Sequence, residues 1–309
     1  MSKNIIVAFS GGGDSTALLH YCFELKQKNK FEGMLSAIHV NHLLSPNAMI
    51  WEEHCKNFCN ARDIPIHCRS INVDGKKSGL ESAAREGRYD VFKKNLKPRD
   101  QLLLAHHADD VAETLLFRLF RGTGIDGLRG PLQSRSLGDG ILLRPWLDCS
   151  KVDLIAYLKE KQLSYIEDES NDCNDQDRNF IRNEILTMIS ERWPQASSQI
   201  QKTAKFITKH LDVHEAFIQK HFPEGLDQPK LGLESLKNIE SEMCNEVIRY
   251  WIKNNNIAAP NKKVLHEITK AFIFSQPSLK TKVEWSRADK AQSGGVLTFR
   301  DGDLIINNK

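Results

Sequence analysis

The chain has 309 residues, which is long for one domain and comfortable for two. Hydrophobic residues make up 40% of it, enough for a sizeable core, and the net charge of +3 permits a nucleic-acid partner without requiring one. The seven cysteines form no CxxC pair, and the sequence has neither a signal-peptide pattern nor an apolar run of about 20 residues. These features argue against a secreted or membrane-spanning protein, and we expect a reduced, cytoplasmic one.

The first half of the chain alternates strand-like and helix-like segments. Buried apolar runs predict strands at Asn4–Phe9, Leu35–Val40, Ile64–Val73, Gln101–Ala105 and Ile141–Leu143. Helical spacing predicts helices at Ser15–Lys28, Ala48–Ala61, Gly79–Asn95, Asp109–Phe120 and Lys151–Lys161. One strand and one helix every 30 residues or so is typical of βαβ repeats, so we predict an α/β fold with a doubly wound parallel sheet.

The second half has a different pattern. Helical spacing continues at Arg178–Arg192, Pro194–His221, Leu233–Asn254 and Asn261–Phe274. The chain ends with Asp301-Gly302 between two apolar runs, a strong β-hairpin signal. We place a domain boundary near Trp193–Pro194. The prediction is an N-terminal domain over residues 1–193 and a smaller, mainly helical C-terminal domain over residues 194–309 that ends in a β-hairpin.

Ser10–Ser15, SGGGDS, is the most informative segment because it joins the first strand to the first helix. Its three glycines let consecutive N–H groups converge on an anion, and the helix N-terminus adds further N–H groups and partial positive charge. A carboxylate at Asp14 would repel a phosphate unless a divalent cation lay between them, which indicates Mg²⁺. The loop lacks the ending of a Walker A motif and the spacing of a dinucleotide-binding loop. An unliganded glycine turn is the alternative.

A second polar cluster, AHHADD, follows the fourth predicted strand. Parallel strands end at one edge of the sheet, so this cluster should lie beside the phosphate loop. His106 and Asp110 are four residues apart and would share a helix face if the helix begins there. Such a pair suits a metal site or a phosphate contact; a packed histidine with acids capping a helix is the alternative. Arg85 and Arg88, on one predicted helix, could neutralise phosphate, although helical arginines are more often solvated.

Five segments together resemble one family. They are SGGGDS, HVNH at His39–His42, AAREGRYD at Ala83–Asp90, AHHADD with the glycine-rich stretch that follows it, and RNFIRNEI at Arg178–Ile185. In this order, over about Ile5–Leu186, they resemble the tRNA(Ile)-lysidine synthetases of the N-type ATP pyrophosphatase (PP-loop) superfamily. SGGxDS alone is specific only to the superfamily; the combination is far more specific.

The resemblance implies ATP and Mg²⁺ as cofactors, and as partners the isoleucine tRNA with a CAU anticodon and free L-lysine. ATP would adenylate the wobble cytidine at the ring carbonyl, releasing pyrophosphate. The lysine ε-amino group would then displace AMP to form lysidine. We expect no membrane partner, and a homodimer is compatible with the sequence.

The resemblance also implies roles for individual residues. The ATP-binding residues would be Ser10, Gly11, Gly12, Gly13, Asp14 and Ser15. Asp14, Arg85, His106 and Asp110 would be catalytic, with Asp14 and Asp110 as metal ligands. Arg88, Glu113, Arg178, Asn179, Arg182 and Asn183 would bind substrates, Glu113 the lysine ammonium group and the last four the RNA.

The chain departs from the family pattern where HVNHGLR appears as HVNHLLS, so a contact at Leu44 or Ser45 is in doubt. Larger family members also carry an additional C-terminal domain. Three other functions stay open: a tRNA 2-thiolase with the same loop, an amidating ligase for small molecules, and a nucleotide-binding regulatory module without catalysis. The thiolases with iron–sulfur chemistry use CxxC pairs, whereas Cys55 and Cys59 are four apart on a predicted helix and suit packing better.

Overall fold

The computed structural model describes residues 3–73, 80–169, 174, 176–222, 225–286 and 293–309. The chain divides into two compact units, residues 1–209 and 210–309. This division falls inside a helix, Ala196–His221, sixteen residues after the division that we predicted at Trp193–Pro194. Among the described residues no helix is both long and apolar enough to cross a lipid bilayer.

The first unit contains a six-stranded sheet. Its strands are β1 (Ile5–Ala8), β2 (Leu35–Asn41), β3 (Ile66–Ser70), β4 (Gln101–Leu103), β5 (Ser134–Leu137) and β6 (Gly140–Leu143). The order is β3-β2-β1-β4-β6-β5, and all neighbours are parallel except β5 and β6. The strand order reverses between β1 and β4, so the predicted doubly wound sheet is confirmed.

Helices cover both faces of this sheet. In chain order the helices that begin in this unit are α1 (Gly13–Gln27), α2 (Ala48–Asn60), α3 (Leu80–Asn95), α4 (Ala108–Phe120), α5 (Lys151–Glu160), α6 (Asp177–Phe180), α7 (Leu186–Arg192) and α8 (Ala196–His221). Of these, α1, α2 and α5 pack on one face of the sheet and α3 on the other. Alternate residues of β1 point to opposite faces: Val7 packs with α1 and α2, and Ile6 packs with Phe92 of α3. The predicted start of α3, Gly79, lies outside the described residues.

The second unit is mainly helical and ends in a β-hairpin, as predicted. It contains α9 (Leu233–Lys237), α10 (Ser241–Asn254) and α11 (Lys262–Ile268), with β7 (Lys230–Gly232), β8 (Lys282–Trp285), β9 (Gly295–Arg300) and β10 (Asp303–Asn308). The strands form an antiparallel sheet in the order β7-β10-β9-β8. Asp301 and Gly302, both with positive φ, make the hairpin turn. Trp251 and Phe272, both fully buried, lie in a continuous core.

Candidate active site

Two polar turns lie side by side where the strand order reverses. β1 and β4 are neighbouring parallel strands, with Ile5 opposite Gln101 and Val7 opposite Leu103. Ser10–Ser15 follows the end of β1, and the segment from His106 follows the end of β4. Both turns therefore lie at the carboxyl edge of the sheet, the edge at which α/β proteins bind ligands.

The backbone of the phosphate loop depends on glycine at position 11. Gly11 has a φ of +88°, and a Cβ on it would lie 2.6 Å from Ile166 Cδ1 and 3.0 Å from Cys55 Sγ. The Gly11 carbonyl accepts hydrogen bonds from Ile166 N, at 2.9 Å, and from Thr16 Oγ1, at 3.2 Å. A side chain at position 11 would thus disturb the contact that holds the loop.

The hydroxyl of Ser15 holds the other side of the loop. It lies 3.0 Å from Ser10 Oγ and donates to the carbonyl of Gly12 over 3.0 Å. Because α1 begins at Gly13, the N–H groups of its first turn have no acceptor within the helix. They are the groups that a phosphate would accept hydrogen bonds from.

His107 joins the two turns. Its Nε2 lies 3.5 Å from Asp14 Oδ2 of the phosphate loop and 3.5 Å from Asp110 Oδ2, and its Nδ1 lies 3.4 Å from Asp109 Oδ2. The His107 side chain is only 5% exposed. Burial alone would lower the pKa of His107, but the close contacts with the carboxylates of Asp109 and Asp14 and the charge of Asp110 raise it to about 10. The site therefore holds an imidazolium among three carboxylates.

The carboxylate of Asp14 responds to the same contacts. Burial by itself would raise its pKa, but the hydrogen bond and charge of His107, with the charges of Lys151 and Arg182, bring the pKa below its ordinary value. Asp14 is accordingly ionised at neutral pH, the state that a metal ligand needs.

His106 and Asp110 do not share a helix face, because the helix does not begin at His106, as that arrangement would require. α4 begins at Ala108 and His107 is its N-cap residue, with the N–H of His107 donating to Asp110 Oδ2 over 2.8 Å. His106 precedes the cap and instead accepts a hydrogen bond at Nδ1 from Arg144 Nε, at 3.1 Å. His107 and Arg144 were not among the site residues that the sequence predicts.

The carboxylates of Asp14 and Asp110 suit the magnesium ion that we predicted. Both carboxylates lie 3.5 Å from the same nitrogen of His107, beside the phosphate loop, and no group of three or more possible metal ligands occurs among the described residues. Mg²⁺ takes oxygen ligands, usually one or two carboxylates with substrate phosphates and water. This donor set fits an ion shared between the protein and a triphosphate.

Glu113 and Arg182, both predicted to bind substrates, bind each other. Arg182 donates to Glu113 Oε2 from Nη2 at 2.6 Å and from Nε at 3.0 Å, and its Nη2 also lies 3.8 Å from Asp110 Oδ1. Glu113 is buried, and this burial raises the pKa of its carboxyl against the opposing charge of Arg182. The ion pair connects α4 to a π-helical turn, Ile181–Ile185, between α6 and α7.

Arg85, Arg88 and Arg178 line one cleft of about 250 Å³. His42 and Leu44 from the turn after β2 complete one side of it, so the departure from the family pattern at Leu44 lies at this cleft. The structure thus brings the predicted arginines of α3 together with the first arginine of the RNFIRNEI segment. Asn183 donates to Asn174 Oδ1 over 3.0 Å, and Asn179 is half-buried on α6.

Cys55 and Cys59 belong to the hydrophobic core. Both are fully buried, on α2, among residues that pack against β1 and β2. Burial raises the pKa of both thiols, that of Cys59 to about 12, so both stay protonated and serve as packing residues.

Comparisons with known proteins agree with this geometry. Residues 1–189 match a family model described as the PP-loop domain. The chain is 36% identical over 286 residues to a tRNA(Ile)-lysidine synthase of Legionella pneumophila (strain Paris), covering 92% of this chain and 65% of that protein. It is 34% identical over 283 residues to the tRNA(Ile)-lysidine synthase of Buchnera aphidicola (subsp. Acyrthosiphon pisum), covering 91% and 64%. The chain therefore spans just under two thirds of the length of these relatives.

Among solved structures, the chain is similar to the U34-tRNA thiolase NcsA from Methanococcus maripaludis with its [4Fe-4S] cluster. The TM-score is 0.55 at 16% sequence identity, and the match covers 67% of this chain and 72% of that one. This likeness supports the fold and carries no information on the reaction.

Proposed function

The chain belongs to the PP-loop domain family, and on that premise we propose that it is a ligase that forms lysidine on tRNA(Ile) with a CAU anticodon. ATP, a substrate here, would transfer AMP to the O2 oxygen of the wobble cytidine and release pyrophosphate. The ε-amino group of lysine would then form a bond to C2 while the bond from C2 to the AMP-bearing oxygen breaks.

One observation carries this proposal: the phosphate loop and the acidic cluster after β4 meet through His107, which lies 3.5 Å from both Asp14 and Asp110. N–H groups for phosphate and carboxylates for a cation thus occur at one edge of the sheet. The lysidine synthases that align with 92% of the chain supply the choice of substrate.

In the first step the chain has to hold the triphosphate and stabilise the charge that moves to pyrophosphate. Ser10, the three glycines and Ser15 would bind the phosphates, and Asp14 and Asp110 would hold the Mg²⁺ ion, which neutralises phosphate charge when bound. Arg85 and Arg88 would contact the phosphate or the cytidylate from the cleft that they line.

In the second step a neutral amine has to meet the activated carbon. Glu113 is our candidate for binding the lysine ammonium group, and Arg182 already donates twice to its Oε2. The proposal therefore assigns the ammonium group to Oε1 of Glu113. Transfer of a proton from the lysine ammonium group to this carboxylate would give the neutral amine that attacks C2.

RNA contacts are assigned to the segment that begins at Arg178. Arg178 lines the cleft with Arg85 and Arg88, so one RNA backbone could meet all three guanidinium groups. Asn179 and Asn183 extend the proposed surface. Arg182 has a second role, because it also pairs with Glu113.

The homodimer, the cytoplasmic location and the domain assignment at residue 193 stay predictions.

The test is to incubate the chain with labelled lysine, ATP, Mg²⁺ and unmodified tRNA(Ile). We expect label in the RNA, with one AMP formed for each lysine incorporated. The control substrate is the same tRNA with uridine at the wobble position, which should accept no label. Adenylation of the tRNA without uptake of lysine would reject lysidine formation and favour another PP-loop ligase.

A tRNA 2-thiolase is the second candidate, because such an enzyme has the same SGGxDS loop and also acts on tRNA. The burial and raised thiol pKa of Cys55 and Cys59 weigh against a cluster ligand at these positions. ATP-dependent incorporation of labelled sulfur into tRNA would decide for the thiolase.

A further inference from the structure

Arg144 is a buried arginine whose three guanidinium nitrogens each donate a hydrogen bond to a different residue. It directly follows β6 and is 5% exposed. Its Nη1 donates to the carbonyl of Leu132 over 2.6 Å, its Nη2 to the hydroxyl of Tyr89 over 3.4 Å, and its Nε to His106 Nδ1 over 3.1 Å. Because β4 and β6 are neighbouring parallel strands, their ends bring Arg144 and His106 together.

The chemistry of the two groups determines the proton positions. A guanidinium group has only N–H donors, so Nδ1 of His106 must accept and cannot carry a proton. A neutral imidazole then has its proton on Nε2. Burial, followed by the charges of Arg144, Arg85, Arg88 and His107, lowers the pKa of His106 to about 3. The groups that face His106 from α3, from the end of β6 and from the start of α4 therefore all favour the neutral ring.

Resting on the proposed function, we propose that Arg144 is a positioning residue that fixes His106 as the Nε2–H tautomer, and that this N–H donates a hydrogen bond to an oxygen of the ATP phosphates or of the adenylated cytidine. In this tautomer neither ring nitrogen can serve as a general base or as a metal ligand. His106 acts as an uncharged donor whose hydrogen bond strengthens as negative charge grows on the acceptor oxygen.

The direct test is a nuclear magnetic resonance measurement on ¹⁵N-labelled protein without ATP or tRNA. The shifts of the two ring nitrogens distinguish the two neutral tautomers and the imidazolium, and His106→Gln identifies the His106 signals among the 11 histidines. We expect the Nε2–H tautomer from pH 5 to pH 8 in the unmodified protein. A proton on Nδ1 of His106 in that range would overturn the proposal.

Arg144→Met removes the donor and one of the charges that keep the ring neutral. The pKa of His106 should then rise from about 3, since a nearby positive charge is lost, and the ring should take up its second proton at a higher pH than in the unmodified protein. The matched control is Arg135→Met. Arg135 also lies beside Tyr89, 5.0 Å from the centroid of its ring, so this change removes one positive charge from the same neighbourhood. It should leave the His106 signals unchanged. An unchanged His106 titration in Arg144→Met would overturn the role of Arg144.

Kinetics supply the second measurement. Arg144→Met should lower kcat for lysine incorporation about 100-fold, with the KM for ATP changed by less than about twofold. Equal losses in Arg135→Met would overturn the assignment. A protein with the expected tautomer that incorporates no lysine supports the Arg144–His106 assignment and rejects the proposed function, so the two failures can be told apart.

Discussion

At the scale of single residues, the sequence was enough to predict the phosphate loop but not His107, the residue that contacts it. SGGGDS needs only residue types and a place after a strand to be recognised. His106 and His107 are adjacent in the sequence, and spacing alone could not decide which of them faces the phosphate loop. The signal that could have decided it is the cap: an acid at the third helical position, Asp110, makes His107 the N-cap and turns it toward Asp14.

Asp14→Asn tests the role of that carboxylate. The change keeps the shape of the side chain and removes the charge that would hold the cation, so pyrophosphate release should fall at least about 100-fold with the fold intact. The measurement is pyrophosphate release together with circular dichroism. Asp139→Asn is the control, because Asp139 is exposed in the turn between β5 and β6, at the other edge of the sheet. Turnover near that of the unmodified protein in Asp14→Asn would remove the loop from the mechanism.

Gly11→Ala tests the shape of the loop. A Cβ at position 11 would lie 2.6 Å from Ile166 Cδ1, and the alanine would have to adopt the positive φ of Gly11. We therefore expect the unfolding free energy to fall by about 3 kcal/mol and ATP to bind more weakly. The control is Gly122→Ala: Gly122 has a similar φ of +70°, but a Cβ there would have no atom within 4 Å. This change should lower the unfolding free energy by only about 1 kcal/mol. Denaturant titration of both variants measures the difference. Equal costs would mean that the contact with Ile166 has no influence.

At the scale of elements, helical spacing predicted Arg178–Arg192 as one regular helix, and the structure shows a π-helical turn inside it. One inserted residue shifts the helical phase, but only four residues of α6 precede the turn and seven of α7 follow it, too few for the periodicity to show the shift. The turn, Ile181–Ile185, includes Arg182, which bonds to Glu113 of α4. Two residues that the sequence assigned to separate substrates are therefore partners across two elements, a tertiary contact that spacing along the chain does not encode.

A double-mutant cycle measures that ion pair. Arg182→Ala leaves the buried carboxylate of Glu113 without its donor and should cost about 2 kcal/mol in unfolding free energy. In the background of Glu113→Gln the same change should cost clearly less, because no buried charge is left unpaired. Denaturant titration of the four proteins gives the coupling energy. A coupling of zero would show that the pair does not stabilise the junction of α4 and the π-helical turn.

Arg178→Ala separates RNA binding from stability. We expect weaker tRNA binding, a slope of log affinity against log salt that is smaller by about 1, and an unchanged affinity for ATP. Binding titrations at several salt concentrations measure this. Lys97→Ala, which removes an exposed charge between α3 and β4, should leave the slope unchanged. If Arg178→Ala also keeps the slope, the RNA surface lies elsewhere.

At the scale of the whole molecule, the alternation of strands and helices was enough to predict the fold class, because each βαβ unit folds in one hand. The missed strands β5, β7 and β8 are three or four residues long, and so short a run has no measurable period. The compact units divide inside α8, where helical spacing continues without a break, so composition offered no signal for a boundary at residue 209.

The position at which ATP is cleaved tests the central claim most directly, because it follows from the phosphate loop and its two carboxylates. ATP labelled at the α-phosphate in one sample and at the γ-phosphate in another is incubated with the chain, Mg²⁺, lysine and tRNA(Ile), and the products are separated. We predict labelled AMP from the first sample and labelled pyrophosphate from the second, in equal amounts. Labelled ADP and free phosphate would contradict the account.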